Sequence, residues 1–256
     1  MRPNQARLDL EALRQNLALA RELAPHSRVM AVVKANAYGH GAVTIASALD
    51  SLVDALAVAC VEEALELREA GIDSPILLLQ GVFDATELSV AALNNLWITV
   101  ENEKQLAWLE QAQLPSALQC WLKIDTGMHR LGVEPGLAGG YLQRLQNSDN
   151  ALDGVVLSTH FASADELDSD MTRRQLALFD SACEKLPGLR SAANSPGLLG
   201  WPDSHYDWVR PGYMLYGNSP FPRSQVNADR LQPVMTLTSS IISLRQVAPG
   251  ETVGYG

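Results

Sequence analysis

Lys34 closes the apolar run Ala31-Val32-Val33 and is followed at once by Ala35-Asn36-Ala37-Tyr38-Gly39-His40-Gly41, where two glycines mark a tight turn. An apolar run of this kind reads as a buried strand and the glycines as the chain leaving it. Lys34 is therefore expected at a strand's C-terminal end, partly desolvated. Desolvation disfavours the ammonium form and lowers the pKa, which supplies the neutral amine that attacks an aldehyde to form a Schiff base. The alternative is a lysine whose stem covers apolar surface while its head reaches solvent. More polar groups stand where other apolar runs end. They are Lys123, Asp125 and Arg130 in Lys123-Ile124-Asp125-Thr126-Gly127-Met128-His129-Arg130-Leu131-Gly132, then His160, then Asn194 and Ser195, then Arg210-Pro211-Gly212-Tyr213. Gly127 permits a turn that swings Arg130 over whatever lies beyond the strand.

The elements that position these groups follow from hydrophobic patterning. Strand-like runs at 29–33, 55–60, 76–79, 97–100, 119–124, 155–159, 190–193 and 209–216 alternate with amphipathic stretches. The stripe Leu10, Leu13, Leu17 and Leu23 is one such stretch, and a helix over 62–70 that stops at Gly71 is another. Alternation of this kind is the pattern of βα units. Eight such strands predict an α/β fold, a (β/α)8 TIM barrel, whose chemistry lies in the loops at the strand C-termini. The loops after the last strands of such barrels commonly cradle a phosphate on backbone amides, so a phosphorylated cofactor is implied.

Composition narrows the classes of partner. The 256 residues, 47% of them hydrophobic, supply a large core, and a net charge of −10 argues against a nucleic-acid or anionic-membrane surface. Small molecules are the expected partners. The three cysteines, Cys60, Cys120 and Cys183, are widely spaced and form no CxxC, so neither a disulfide framework nor a zinc site is predicted. The charged N-terminus lacks a signal-peptide core, and no apolar run is long enough to span a bilayer, which predicts a cytoplasmic protein. His26, His40, His129 and His205 show no HExxH spacing, and the glycines around His40 fit neither GxGxxG nor a Walker motif.

Taken in order, the Lys34 segment, the Lys123–Gly132 segment, Thr159-His160-Phe161-Ala162, Asn194-Ser195 and Val209-Arg210-Pro211-Gly212 resemble the alanine racemase family. Val253-Gly254-Tyr255-Gly256 resembles its second catalytic segment. The resemblance implies a pyridoxal 5'-phosphate enzyme that interconverts L- and D-alanine as a head-to-tail homodimer, feeding peptidoglycan or degrading D-alanine. It places a cofactor-binding barrel at 1–232 and the first strands of a truncated C-terminal β-domain at 233–256. Lys34 would hold the cofactor and serve as base on one face of the substrate Cα. Tyr255 would serve the opposite face with His160 and Arg210 beside it, although its residue type alone equally fits a plain strand aromatic. Tyr38, Asn194, Ser195 and the amides of Gly212 and Tyr213 would bind the cofactor, most of them at its phosphate. Arg130 would seat the substrate carboxylate, and Lys123, carbamylated in relatives, would orient it.

The resemblance also sets Arg210 against the pyridine nitrogen. Arginine keeps its proton, so charge delocalisation into the ring is weakened and transamination suppressed. Read without the family, Arg210 is a surface arginine paired with Asp207. Two rival functions on the same barrel are a non-catalytic pyridoxal phosphate carrier and an amino-acid decarboxylase. The presence of Arg130, Tyr255 and Arg210 together favours the racemase.

Overall fold

The computed structural model describes residues 3–255, which form β1 (Gln5–Leu8), α1 (Leu10–Leu23), β2 (Arg28–Val32), a helical turn α2 (Lys34–Tyr38), α3 (Ala42–Leu49), β3 (Ala55–Val58), α4 (Val61–Glu69), β4 (Ile76–Leu78), α5 (Glu87–Leu93), β5 (Leu96–Val100), α6 (Glu103–Gln111) and β6 (Cys120–Lys123). They continue with α7 (Ala138–Gln146), β7 (Val156–Ser158), α8 (Met171–Cys183), β8 (Arg190–Ser191), α9 (Ser195–Gly200), β9 (Trp208–Val209) and β10 (Met235–Thr238). Strands β2 to β9 are parallel and close into a barrel. β1 and β10 pair antiparallel outside it, in the register Gln5↔Thr238 to Leu8↔Met235.

The barrel strands are apolar on both faces because each face meets a different layer. In β2, Val29 and Ala31 pack outward with the helices, while Met30 and Val32 join Ala55, Ala57, Leu77, Trp121, Val156 and Trp208 inside the barrel. A two-residue period thus fills two cores. The interior is plugged by aromatic rings. Trp208 meets Trp97 and Trp121 edge-on, with centroids 5.8 and 5.6 Å apart.

The leucine stripe of α1 forms as expected, with Leu13 and Leu17 buried. Asp9 caps this helix, its Oδ1 accepting from the amides of Glu11 at 3.0 Å and Ala12 at 2.9 Å, and such a cap contributes about 1 kcal/mol. The same helix carries a buried polar exception. Asn16 donates to the carbonyls of Leu215 and Gln232 and accepts from the Gln232 amide, pinning α1 to the segment that follows the barrel.

The eighth strand departs from expectation. It ends at Val209 rather than running through 216, and Tyr213–Tyr216 is a 3-10 turn. Pro211 has no N–H to give a ladder, yet its carbonyl still accepts from the Val32 amide at 2.9 Å. The chain is thereby held against β2 while it turns across the barrel's end. Among the described residues no helix is long and apolar enough to cross a membrane.

Candidate active site

A cavity of about 240 Å³ opens at the C-terminal ends of the barrel strands, near the lower end of the roughly 300–1,000 Å³ usual for ligand clefts. Lys34, Lys123, Arg130 and Arg210 all line it, and among the described residues no aspartate or glutamate does. In a chain of net charge −10 this is a local inversion of sign.

Lys34 enters from an unusual backbone. Ala35, Asn36, Ala37 and Tyr38 all adopt left-handed conformations, with φ between 51° and 54°. Each costs an L-residue roughly 1–2 kcal/mol. The turn is tied down by the Ala37 amide donating to the Val33 carbonyl at 2.9 Å and by Asn36 Oδ1 accepting from the Ala42 amide at 2.7 Å. It places Lys34 half-buried on the cavity wall and stacks Tyr38 on Tyr216, 5.0 Å between ring centroids. Desolvation raises the Tyr38 phenol pKa.

The expected phosphate ligands do converge. Ser195 Oγ accepts from the amides of Gly212 at 3.0 Å and Met214 at 3.1 Å. A Cβ on Gly212 would stand 2.8 Å from the Tyr38 hydroxyl, so a side chain here would push that phenol aside. The Gly212 amide is thus engaged by Ser195 rather than free. Tyr213 opens a 3-10 turn, a position whose amide has no partner within the turn. Asn194 lines the cavity and caps α9, its Oδ1 accepting from the Gly197 amide at 3.0 Å.

Arg210 is buried beneath the cavity and is not the surface partner of Asp207. Asp207 accepts instead from the Arg190 amide at 2.7 Å. The Arg210 guanidinium donates to Ser191 Oγ, to the Thr159 carbonyl at 2.6 Å and to the Ala192 carbonyl at 3.3 Å, and it lies 3.5 Å from His160 Nδ1. Burial draws its pKa down to about 10, so it remains a cation at neutral pH. His160 is desolvated and faces Arg210, Lys123, Arg130 and Lys34, which together hold it well below the ordinary histidine value. The imidazole is neutral, and because its Nδ1 faces the Arg210 donor, Nε2 carries the proton.

Lys123 ends β6, and burial, followed by repulsion from Arg210 and Arg130, lowers its pKa to about 8. As an ammonium it repels Arg130. Arg130 itself stands at the rim, carried there by the turn at Gly127, φ +133°. Asp125 shapes that loop by accepting from the amides of Gly127 and His129, both at 3.0 Å, and is not part of the cavity wall. Tyr255 is fully exposed and does not reach the cavity of its own chain.

Sequence reasoning missed the groups that hold Arg210, namely Ser191 and the Thr159 carbonyl. It also missed the Thr126–Thr159 hydroxyl pair at 2.7 Å, which ties the loops after β6 and β7 together. A serine inside the apolar run at 190–193 was the available signal.

The family model for the alanine racemase N-terminal domain matches residues 8–220. The chain belongs to the alanine racemase family. Among alanine racemases it is 53% identical to that of Pseudomonas taetrolens and 53% to the catabolic alanine racemase of Pseudomonas putida, in each case over all of this chain and 71% of the relative. The crystal structure of biosynthetic alanine racemase from Pseudomonas aeruginosa superposes with a TM-score of 0.94 at 43% identity, covering 100% of this chain and 71% of that one. The alanine racemase of Acinetobacter baumannii gives 0.90 at 38% identity. The barrel is therefore an alanine racemase barrel, and the chain is of an amino-acid racemase family. The matched region holds every cavity residue named above, whereas Tyr255 lies beyond it.

Proposed function

We propose that this chain interconverts L- and D-alanine with pyridoxal 5'-phosphate held at Lys34. The carrying observation is the cavity in which two lysines, two arginines, a phenol and a seryl hydroxyl meet beside backbone amides, with no aspartate or glutamate among the described residues lining it. That donor set fits the cofactor. Lys34 offers an amine for its aldehyde, Tyr38, the Ser195 hydroxyl that Gly212 orients and the Tyr213 amide would hold the phosphate, and Arg210 would hold the ring nitrogen. When bound, the cofactor withdraws electrons from the substrate's Cα–H bond and makes that proton removable.

The chain's own residues divide the remaining work. Lys34 Nζ moves the proton on one face of Cα, and Tyr255 Oη moves it on the other. Because Tyr255 stands outside its own cavity, we assign it to the site of a partner in a homodimer. A phenol has an ordinary pKa near 10, and His160, kept neutral by burial and by its cationic neighbours, faces the Arg210 donor with Nδ1 and so offers its Nε2–H as a donor that favours an ionised phenol oxygen. Arg210 retains its proton, which disfavours transamination. Arg130 presents a guanidinium fork suited to the substrate carboxylate. Carbamylation of Lys123, through attack of its neutral amine on carbon dioxide with loss of a proton, replaces the ammonium by an anion and turns its repulsion of Arg130 into an ion pair. Residues 1–232 serve as the cofactor domain. Residues 233–256, which contain β10 and the exposed Ile241, Ile242 and Leu244, open a second, β-rich domain.

Relatives named catabolic, at 53% and 51% identity, favour D-alanine breakdown over peptidoglycan supply. The position of Tyr255 is the one observation that favours a non-catalytic carrier. Two measurements test the proposal. Borohydride reduction with peptide mapping should place the pyridoxyl group on Lys34, and L-alanine should be converted to D-alanine. Label on Lys123 or nowhere would overturn the cofactor assignment, and label on Lys34 without racemisation in any dimeric form would leave the carrier.

A further inference from the structure

The left-handed turn that carries Lys34 is held by more than its own bonds. Glu63, in the first turn of α4, reaches back to it, with Oε1 accepting from the Ala35 amide at 2.7 Å and Oε2 accepting from the Ala59 amide at 2.8 Å. Ala35 directly follows Lys34. Ala59 directly follows β3, lines the cavity, and stands beside the turn because β3 pairs with β2 in the register Val32↔Ala57. One carboxylate therefore ties together two adjacent strand ends where both enter the cavity rim. Hydrogen bonds to an ionised carboxylate are about twice as strong as neutral ones.

A glutamate at the third position of a helix commonly serves that helix's own start. Neither amide bound here lies within α4, and the residue preceding α4, Cys60, makes no side-chain capping bond. The geometry points to a different task. We propose that Glu63 is a positioning residue for Lys34. By holding the Ala35 amide it fixes the first left-handed residue of the turn, and with it the direction from which Nζ enters the cavity. This role rests on the reading of Lys34 as the cofactor lysine.

Glu63→Ala and Glu63→Gln test it, with Glu62→Gln as control, since Glu62 is an exposed glutamate on the same helical turn. Glutamine keeps the size and one acceptor but sets an NH2 group against the second amide, so it should fall between parent and alanine. In cofactor-free protein, hydrogen exchange at the Ala35 amide should be at least about tenfold faster in Glu63→Ala. Covalent attachment of pyridoxal phosphate, a condensation that releases water and is read by absorbance and borohydride mapping, should slow by on the order of tenfold. Glu62→Gln should leave both unchanged. A Glu63 that merely supports α4 would lower the urea midpoint in both of its variants and spare the attachment rate. Parental attachment rates in both Glu63 variants, or unchanged Ala35 exchange, overturn the proposal while Lys34 keeps its label. Label absent from Lys34 in the parent removes the cofactor reading and this role together.

Discussion

Lys123 is where charge and surroundings disagree most. Its ammonium is desolvated and faces Arg210 and Arg130, with only Glu101 and Asp125 acting the other way, so its pKa falls from 10.5 to about 8. Between those values the unfolded chain binds more protons than the folded one, so stability rises with pH through that window. Below it the folded state bears the full penalty, on the order of 3 kcal/mol. In cofactor-free protein kept free of carbon dioxide, Lys123→Met should therefore raise the urea midpoint at pH 7, with the gain fading as pH approaches 10.5. Bicarbonate should confer the same gain on the parent, with an intact mass increased by one carbon dioxide. A Lys123→Met midpoint equal to the parent's at pH 7 would remove the penalty from the account. Arg210 supports a companion prediction about reaction choice. Arg210→Glu should slow racemisation roughly a hundredfold and raise the ratio of pyruvate formed to alanine racemised, because a carboxylate stabilises a protonated ring. An unchanged ratio would mean that Arg210 does not set reaction choice. Residue types at strand ends made Lys34, Lys123, His160 and Arg210 legible in the sequence. The protonation of His160 was not, since it depends on burial and on four cations brought together at the ends of three different strands.

At the scale of elements, the sequence disclosed strands better than turns. Eight apolar runs became eight barrel strands because burial on both faces leaves a continuous hydrophobic signal. Ala35-Asn36-Ala37-Tyr38 carries no such signal. Alanine favours right-handed helix, and the left-handed path is imposed by tertiary bonds to Val33, Ala42 and Glu63. The same limit explains the over-long eighth strand, where Pro211 ends the ladder and the apolar residues beyond it pack as a 3-10 turn. The strain makes a direct prediction. Glycine bears no penalty at positive φ but loses more backbone entropy on folding. Ala35→Gly should thus stabilise cofactor-free protein by about 0.5–1 kcal/mol, and Ala35→Val should destabilise it by more than about 1 kcal/mol. Urea unfolding measures both, and equal midpoints for the two variants would show that the turn stores no strain at Ala35.

For the whole molecule, the two halves of the proposed proton path belong to different places. Lys34 is set in a rigid barrel wall, whereas Tyr255 is fully exposed and packs against nothing that would orient it. An acid or base misplaced by about 1 Å loses on the order of a hundredfold in rate, so the 256-residue chain by itself should attach cofactor and racemise alanine slowly. Ile241, Ile242, Leu244 and Val253, in the same C-terminal stretch of sequence as Tyr255, are exposed apolar residues. In a dimer of protein spanning the full length of its relatives, Tyr255 would be delivered to the neighbouring barrel. Complementation then separates the two arrangements. Lys34→Ala and Tyr255→Phe should each be nearly inactive alone. Mixed in equal amounts and re-equilibrated, half of the dimers are hybrids with one intact site of two, so about a quarter of parental activity should return. Each site would then draw its lysine from one chain and its tyrosine from the other. No recovery, with hybrids verified by mass, would place both groups in the same subunit and remove the partner from the mechanism.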